Sequence, residues 1–99
     1  MICELCGKPA ECTHHWLFGY GVRDKADEDK IYGRLCNKCH NLAPSVSDRI
    51  HDNPMAERLS KMYGQALWEI QLVEYGYTRK EARQRFIKRY GMSYIWDEV

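Results

Sequence analysis

The sequence predicts an α+β protein: a small zinc-stapled unit of strand, loop, strand and knuckle, followed by a C-terminal helical extension. Three observations predict it. Two Cys-x-x-Cys pairs, Cys3/Cys6 and Cys36/Cys39, flank an interval of hairpin size. Short runs of β-formers lie inside that interval. The second half of the chain carries apolar residues at helical spacing, with start and stop signals around them.

The elements follow in order. Residues 3–9 read as a zinc knuckle, in which Gly7 permits the positive φ that wraps backbone amides around sulfur and Pro9 ends the turn. Residues 12–18 suggest a short strand, broken by Gly19 and Gly21. A polar, charged loop is expected through Asp24, Lys25, Asp27, Glu28, Asp29 and Lys30, with the returning strand at 31–35. The second knuckle at Cys36 and Cys39 feeds a helical turn that Pro44 terminates. Asn53-Pro54 is an N-cap followed by proline at the first helical position. Met55, Leu59, Met62, Tyr63, Ala66, Leu67, Ile70 and Val73 then recur at three- and four-residue spacing, and Gly76 stops the helix near Tyr75. The face carrying Leu59, Met62, Ala66, Ile70 and Val73 is expected to pack on the rest of the chain, each side chain contributing roughly 1.5–3 kcal/mol. Thr78 to Glu81 is a capping box for a last helix, closed by Gly91 and striped by Ala82, Phe86 and Tyr90. The apolar end, 92–96, is expected to dock as a tail. The organisation is therefore a zinc-binding unit over 1–53 and a helical extension over 54–99 packed on it as one domain.

Length and charge set the limits. Ninety-nine residues bury a modest core, so a metal staple matters. The net charge of +1 announces no nucleic-acid partner globally. No apolar run follows Met1 and none is long enough to span a bilayer, which predicts a cytosolic address. In that compartment paired cysteines serve metal rather than disulfides. Four thiolates in two such pairs, with the 29 residues 7–35 between them, form the ligand set of a closed tetrahedral structural zinc site. Cys12 stands outside both pairs, as a small buried apolar residue or an alternative ligand.

All four histidines lie between 14 and 51. His14 and His15 are neighbours whose side chains diverge in a strand, which suits a division of labour between metal ligand and general base. His40 directly follows the last knuckle cysteine, and His51 precedes the cap of the long helix. Ordinary packing or surface histidines are the alternative. Arg79, Lys80, Arg83, Arg85, Lys88 and Arg89 set six basic residues against Glu81 alone. They form either a solvated helix face or a surface for phosphates.

Taken together, Cys-x-x-Cys, His14-His15-x-x-Phe18-Gly19, Arg23, Cys36 to His40, Ile50-His51-Asp52-Asn53 and the end Phe86 to Tyr94 resemble HNH (ββα-metal) endonucleases in their treble-clef zinc form. The closer likeness is to small phage-encoded HNH proteins, including those grouped with RecA-dependent recombination nucleases. The resemblance implies DNA phosphodiester hydrolysis with a divalent ion (Mg²⁺, Mn²⁺ or Zn²⁺) beside the structural zinc. It makes His14, His40 and His51 ligands of that ion, His15 the general base, and Arg23 a phosphate contact. Arg79, Lys80, Arg83, Lys88 and Arg89 become contacts to DNA. Ile31 stands where the pattern has asparagine and Pro44 where a third ligand is common. With those departures, activity requires His51 to close the site and another polar residue, Asp29 or Asn41, to support the base. The implied setting is the cytoplasm of a bacterial host cell, with DNA and a protein of the recombination or phage machinery as the partners the resemblance suggests. The rival expectation is an inactive zinc-binding module, inhibitor or adaptor that grips nucleic acid or protein without cleaving.

Overall fold

The computed structural model describes residues 1–96, and the last three positions of the expected extension, 97–99, lie outside them. Strands β1 (Cys12–His15) and β2 (Tyr32–Leu35) pair antiparallel, with Cys12 opposite Leu35 and His14 opposite Gly33. The N-terminal knuckle is tied to the far end of β2, where Glu4 N–H donates to the Arg34 carbonyl (2.9 Å) and Arg34 N–H to the Glu4 carboxylate (2.7 Å). Gly7 carries φ 78° and its N–H closes the turn on the Cys3 carbonyl at 2.9 Å, a conformation that side chains resist. β1 is shorter than the run 12–18 suggests, because the chain leaves the sheet to bury Trp16 and Leu17.

The connection between the strands is not the loop expected from its charges. It holds a two-turn helix, α1 (Val22–Glu28). Ala26 is fully buried on its inner face and its carbonyl receives the Ile31 N–H at 2.8 Å. Val22, one turn earlier, packs on the same core. Two apolar contacts suffice for so short a helix, while Asp24, Asp27 and Glu28 face solvent.

After β2 a π-helical turn over Lys38–Leu42 carries Cys39 and His40, and a 3-10 turn over Val46–Asp48 follows. Arg49 closes this excursion by donating to the carbonyls of Ala43 (2.7 Å) and His51 (3.0 Å). The returning backbone lies against the turn, with Ile50 N–H on the Cys39 carbonyl and His51 N–H on the His40 carbonyl (2.9 and 3.0 Å).

Helix α2 (Pro54–Glu74) starts as its sequence dictates, the Asn53 side chain accepting from Ala56 N–H at 3.2 Å. Helix α3 (Arg79–Tyr90) has the full Thr78/Glu81 capping box. Its Ala82, Phe86 and Tyr90 are buried, and Phe86 meets Trp68 of α2 edge-on at 5.5 Å. The tail docks through Tyr94, whose N–H donates to the buried Gln65 side chain at 2.7 Å.

The packing of α2 reverses the expectation. Leu59, Ile70 and Val73 are 55%, 54% and 41% exposed, whereas Ser60, Gly64 and Gln65 are buried. Of the predicted face only Met62 packs against the core. The cause is the close crossing of α2 over the chain after β1. A Cβ on Gly64 would lie 2.8 Å from Leu17 Cγ and 2.9 Å from Trp16 Cβ. Only the side of the helix bearing small residues allows that approach. No helix among the described residues is long and apolar enough to cross a membrane.

Candidate metal centres

The knuckles converge. Cys3, Cys6, Cys36 and Cys39 each offer a sulfur, and the four lie within 4.8 Å of one another. Cys6 Sγ and Cys36 Sγ are 3.7 Å apart, against about 3.8 Å for two thiolates on a tetrahedral zinc with 2.3 Å bonds. Cys39 N–H points at Cys36 Sγ (3.5 Å), as expected where backbone amides solvate thiolate charge. Electrostatics agree with a cation site. At Cys3 burial raises the pKa, but N–H groups of Cys36, Cys6 and Leu5 outweigh it and bring the thiol down to about 6. Cys39 moves the other way, pushed up by burial and by the sulfurs of Cys36, Cys6 and Cys3. The cluster thus sheds its first proton readily and holds its last, unless a dication offsets the accumulating charge. The four cysteines could hold a metal such as zinc. Cys12 is not among them: its thiol donates to the Leu35 carbonyl at 3.3 Å, and burial raises its pKa.

A second cluster includes His40 of the same π-helical turn, and in it one ring nitrogen each of His14, His40 and His51 falls within a 4.8 Å group. His40 and His51 face each other through Nε2 at 3.0 Å. Two nitrogens bound at 2.0–2.1 Å to one ion stand about 3–3.4 Å apart, depending on the bond angle. His51 Nδ1 lies 3.4 Å from the Glu57 carboxylate at the start of α2, which leaves Nε2 as its free lone pair. His14 is 1% exposed, and its Nε2 sits 2.8 Å from Ser60 Oγ. Ser60 spends its own hydroxyl proton on the Trp16 carbonyl (2.9 Å), so it accepts from His14. That chain fixes the proton on Nε2 and leaves Nδ1 as the lone pair of His14. Burial, then the neighbouring His40, His51 and His15, depress the His14 pKa to about 3, and burial, His51, Arg23 and His15 lower that of His40. Both rings are therefore neutral near pH 7, the form that ligates. The donor set fits a divalent cation.

The three rings open on a cleft of about 180 Å³, also lined by Thr13, His15, Phe18 and Arg23. His15, on the opposite side of β1 from His14, turns its Nε2 to Asp27 of α1 at 3.0 Å. A proton held there by the carboxylate leaves Nδ1 free to accept another. Asp27 belongs to the helix that was expected as a loop, so this support was not read from the sequence. Asp29, one of the two residues expected to play the part, is otherwise engaged. Its Oδ2 accepts from Trp68 Nε1 (2.9 Å), Arg89 Nε (2.6 Å) and the Tyr90 hydroxyl (2.6 Å), clamping α1 to α2 and α3.

The basic residues of α3 divide in two. Arg83 pairs with Glu69 at 2.8 Å, and Arg89 with Asp29 and Glu28 at 2.6 and 3.0 Å, so both serve the packing of helices. Arg85 lies over the Tyr77 ring at 4.4 Å. Arg79, Lys80 and Lys88 are exposed. Lys25 of α1 donates to the Arg89 carbonyl (2.8 Å), which ties the helix bearing Arg23 to the end of α3. No family model, curated protein or solved structure matches the chain.

Proposed function

We propose that the chain is a metal-dependent endonuclease of the HNH kind, a treble-clef ββα-metal unit that hydrolyses DNA phosphodiester bonds. The observation that carries the reading is the cleft in which His14, His40 and His51 converge beside a histidine held by a carboxylate. What a divalent ion in that cleft supplies is positive charge against the developing charge of the scissile phosphate and leaving oxygen. His14 Nδ1 and the Nε2 atoms of His40 and His51 would hold it. His15 takes the proton of the attacking water on Nδ1, while Asp27 orients the ring and stabilises the imidazolium that forms. Arg23 holds a neighbouring phosphate, and the exposed Arg79, Lys80 and Lys88 add sequence-independent backbone contacts. The cysteine site, in this reading a structural zinc, keeps His40 in register with β1.

One observation favours a second reading, a module that binds nucleic acid or protein without cleaving. Ile31 stands at the asparagine position of the pattern and is 1% exposed in the core, so it offers the base no polar support. Asp27, 3.0 Å from His15 Nε2, supplies the polar support that Ile31 cannot, which favours the enzyme. Supercoiled plasmid incubated with protein and Mg²⁺, Mn²⁺ or Zn²⁺ should be nicked or linearised. His15→Ala should lose at least a hundredfold in rate, with zinc content and DNA affinity near those of the parent. Wild-type protein inert with every ion and substrate tried would favour the binding module. Equal cleavage by His15→Ala would place the base elsewhere.

A further inference from the structure

Helix α2 is amphipathic in the wrong sense for a monomer. At 100° per residue, Met55, Leu59, Tyr63, Ala66, Ile70 and Val73 share one arc that contains no charged side chain. Met55, Leu59, Tyr63, Ile70 and Val73 are between 41% and 70% exposed. Several polar residues of the helix turn inward and find partners there. Ser60 serves His14, Glu57 serves His51, Gln65 bonds Glu69, Ser93 and Tyr94, and Glu69 pairs with Arg83. The largest apolar patch on a monomer is usually about 300–600 Å² and is often functional, and these five residues together expose on the order of 500 Å².

We infer that this face pairs with the same face of a second copy, as two antiparallel α2 helices about a two-fold axis. The spacing from Ala56 through Leu59, Tyr63, Ala66 and Ile70 to Val73 runs 3, 4, 3, 4, 3, which reads the same in both directions. A two-fold axis midway between Tyr63 and Ala66 then sets Leu59 against Ile70, and the large Tyr63 against the small Ala66. The alternation of large and small residues is what interdigitating helices need. Val73 and Ile70 of the second copy arrive opposite Ala56 and Leu59. Those two residues line a mainly apolar groove of about 360 Å³ together with Leu5, Trp16, Ile50 and Tyr63, and with the polar Glu4 and Ser60. Two such faces cover about 1,000 Å² from the helices alone, the area at which specific association begins, and the groove adds to it. The isologous arrangement satisfies both copies at once and closes, so it stops at two. Because the helices run antiparallel, the histidine clusters beside the Glu57–Ser60 end of each lie toward opposite ends of the pair. The pairing does not depend on whether those clusters cleave anything.

Sedimentation equilibrium of the full chain at micromolar concentration should give twice the mass of one chain. Ile70→Glu, and independently Val73→Lys, should each return the mass of a single chain while zinc content and helical circular dichroism stay at the parental level. A photoreactive benzoylphenylalanine introduced at Ile70 should cross-link to the peptide bearing Leu59 of the other copy. A monomeric wild-type protein would overturn the proposal, whatever else the face then binds. Dimers that survive both substitutions, or a cross-link between the two Ile70 sites, would overturn the interface or its direction.

Discussion

At the scale of single residues, proton placement decides what the histidine cleft can do. Ser60 is the clearest case. Its hydroxyl is anchored on the Trp16 carbonyl and so can only accept from His14 Nε2. Ser60→Ala removes that acceptor from a ring that is almost wholly buried, and the proton is then free to move to Nδ1, where it blocks ligation. The expected result is a 10- to 100-fold loss in Mn²⁺ or Co²⁺ affinity at the histidine site, read by calorimetry, with the cysteine-bound metal unchanged. Unaltered affinity would show that His14 ligates through Nε2 or not at all. The cysteine quartet, the three clustered histidines and His15 were legible because they are rare residue types at telling spacings. Ser60 and Asp27 were not, since a serine within a helix and an aspartate within a charged run carry no signal until the fold sets them beside an imidazole.

At the scale of elements, periodicity and cap signals found α2 and α3 but could not say which face of α2 meets the protein. The stripe of Leu59, Ile70 and Val73 is genuine; it is the occupant of its far side that the chain itself does not supply. The informative residue was Gly64, a helix-interior glycine whose reason is close approach rather than flexibility. In an exposed helix, glycine to alanine is stabilising by up to about 1 kcal/mol. Here the new methyl would sit against Leu17 and Trp16 in a filled core, a clash typically costing about 1–3 kcal/mol. Gly64→Ala should therefore lower the melting temperature, and a rise would mean that α2 stands further from the hairpin. α1 escaped the sequence reading for a related reason. Its seven residues bury only Ala26 fully, too little apolar pattern to separate a helix from a charged loop.

At the scale of the whole molecule, the question is what holds the first half together. Two four-residue strands and a two-turn helix surround a core shared with α2 and α3, and a small domain of this kind is marginal without further support. The knuckle cysteines connect the N-terminal turn to the end of β2, so a metal there closes most of the first forty residues into a loop. Structural zinc of this type contributes roughly 10–16 kcal/mol of binding free energy at neutral pH, comparable with or larger than the entire stability of a typical domain. Protein purified without added metal should carry one tightly bound zinc per chain at the cysteines, measurable by elemental analysis. Removing it should unfold the knuckle and hairpin while α2 and α3, joined through Trp68, Phe86, Tyr90 and the Asp29 clamp, lose less of their helical signal. Trp16, buried between the hairpin and α2, can report this separately in a variant with Trp68→Phe and Trp96→Phe. Its emission should shift to the red on addition of a strong chelator and return with one equivalent of Zn²⁺. Cys36→Ser should weaken zinc retention and produce the red-shifted spectrum without chelator. A metal-free protein whose Trp16 remains buried and whose unfolding stays cooperative would show that the sulfurs converge for some purpose other than holding the fold.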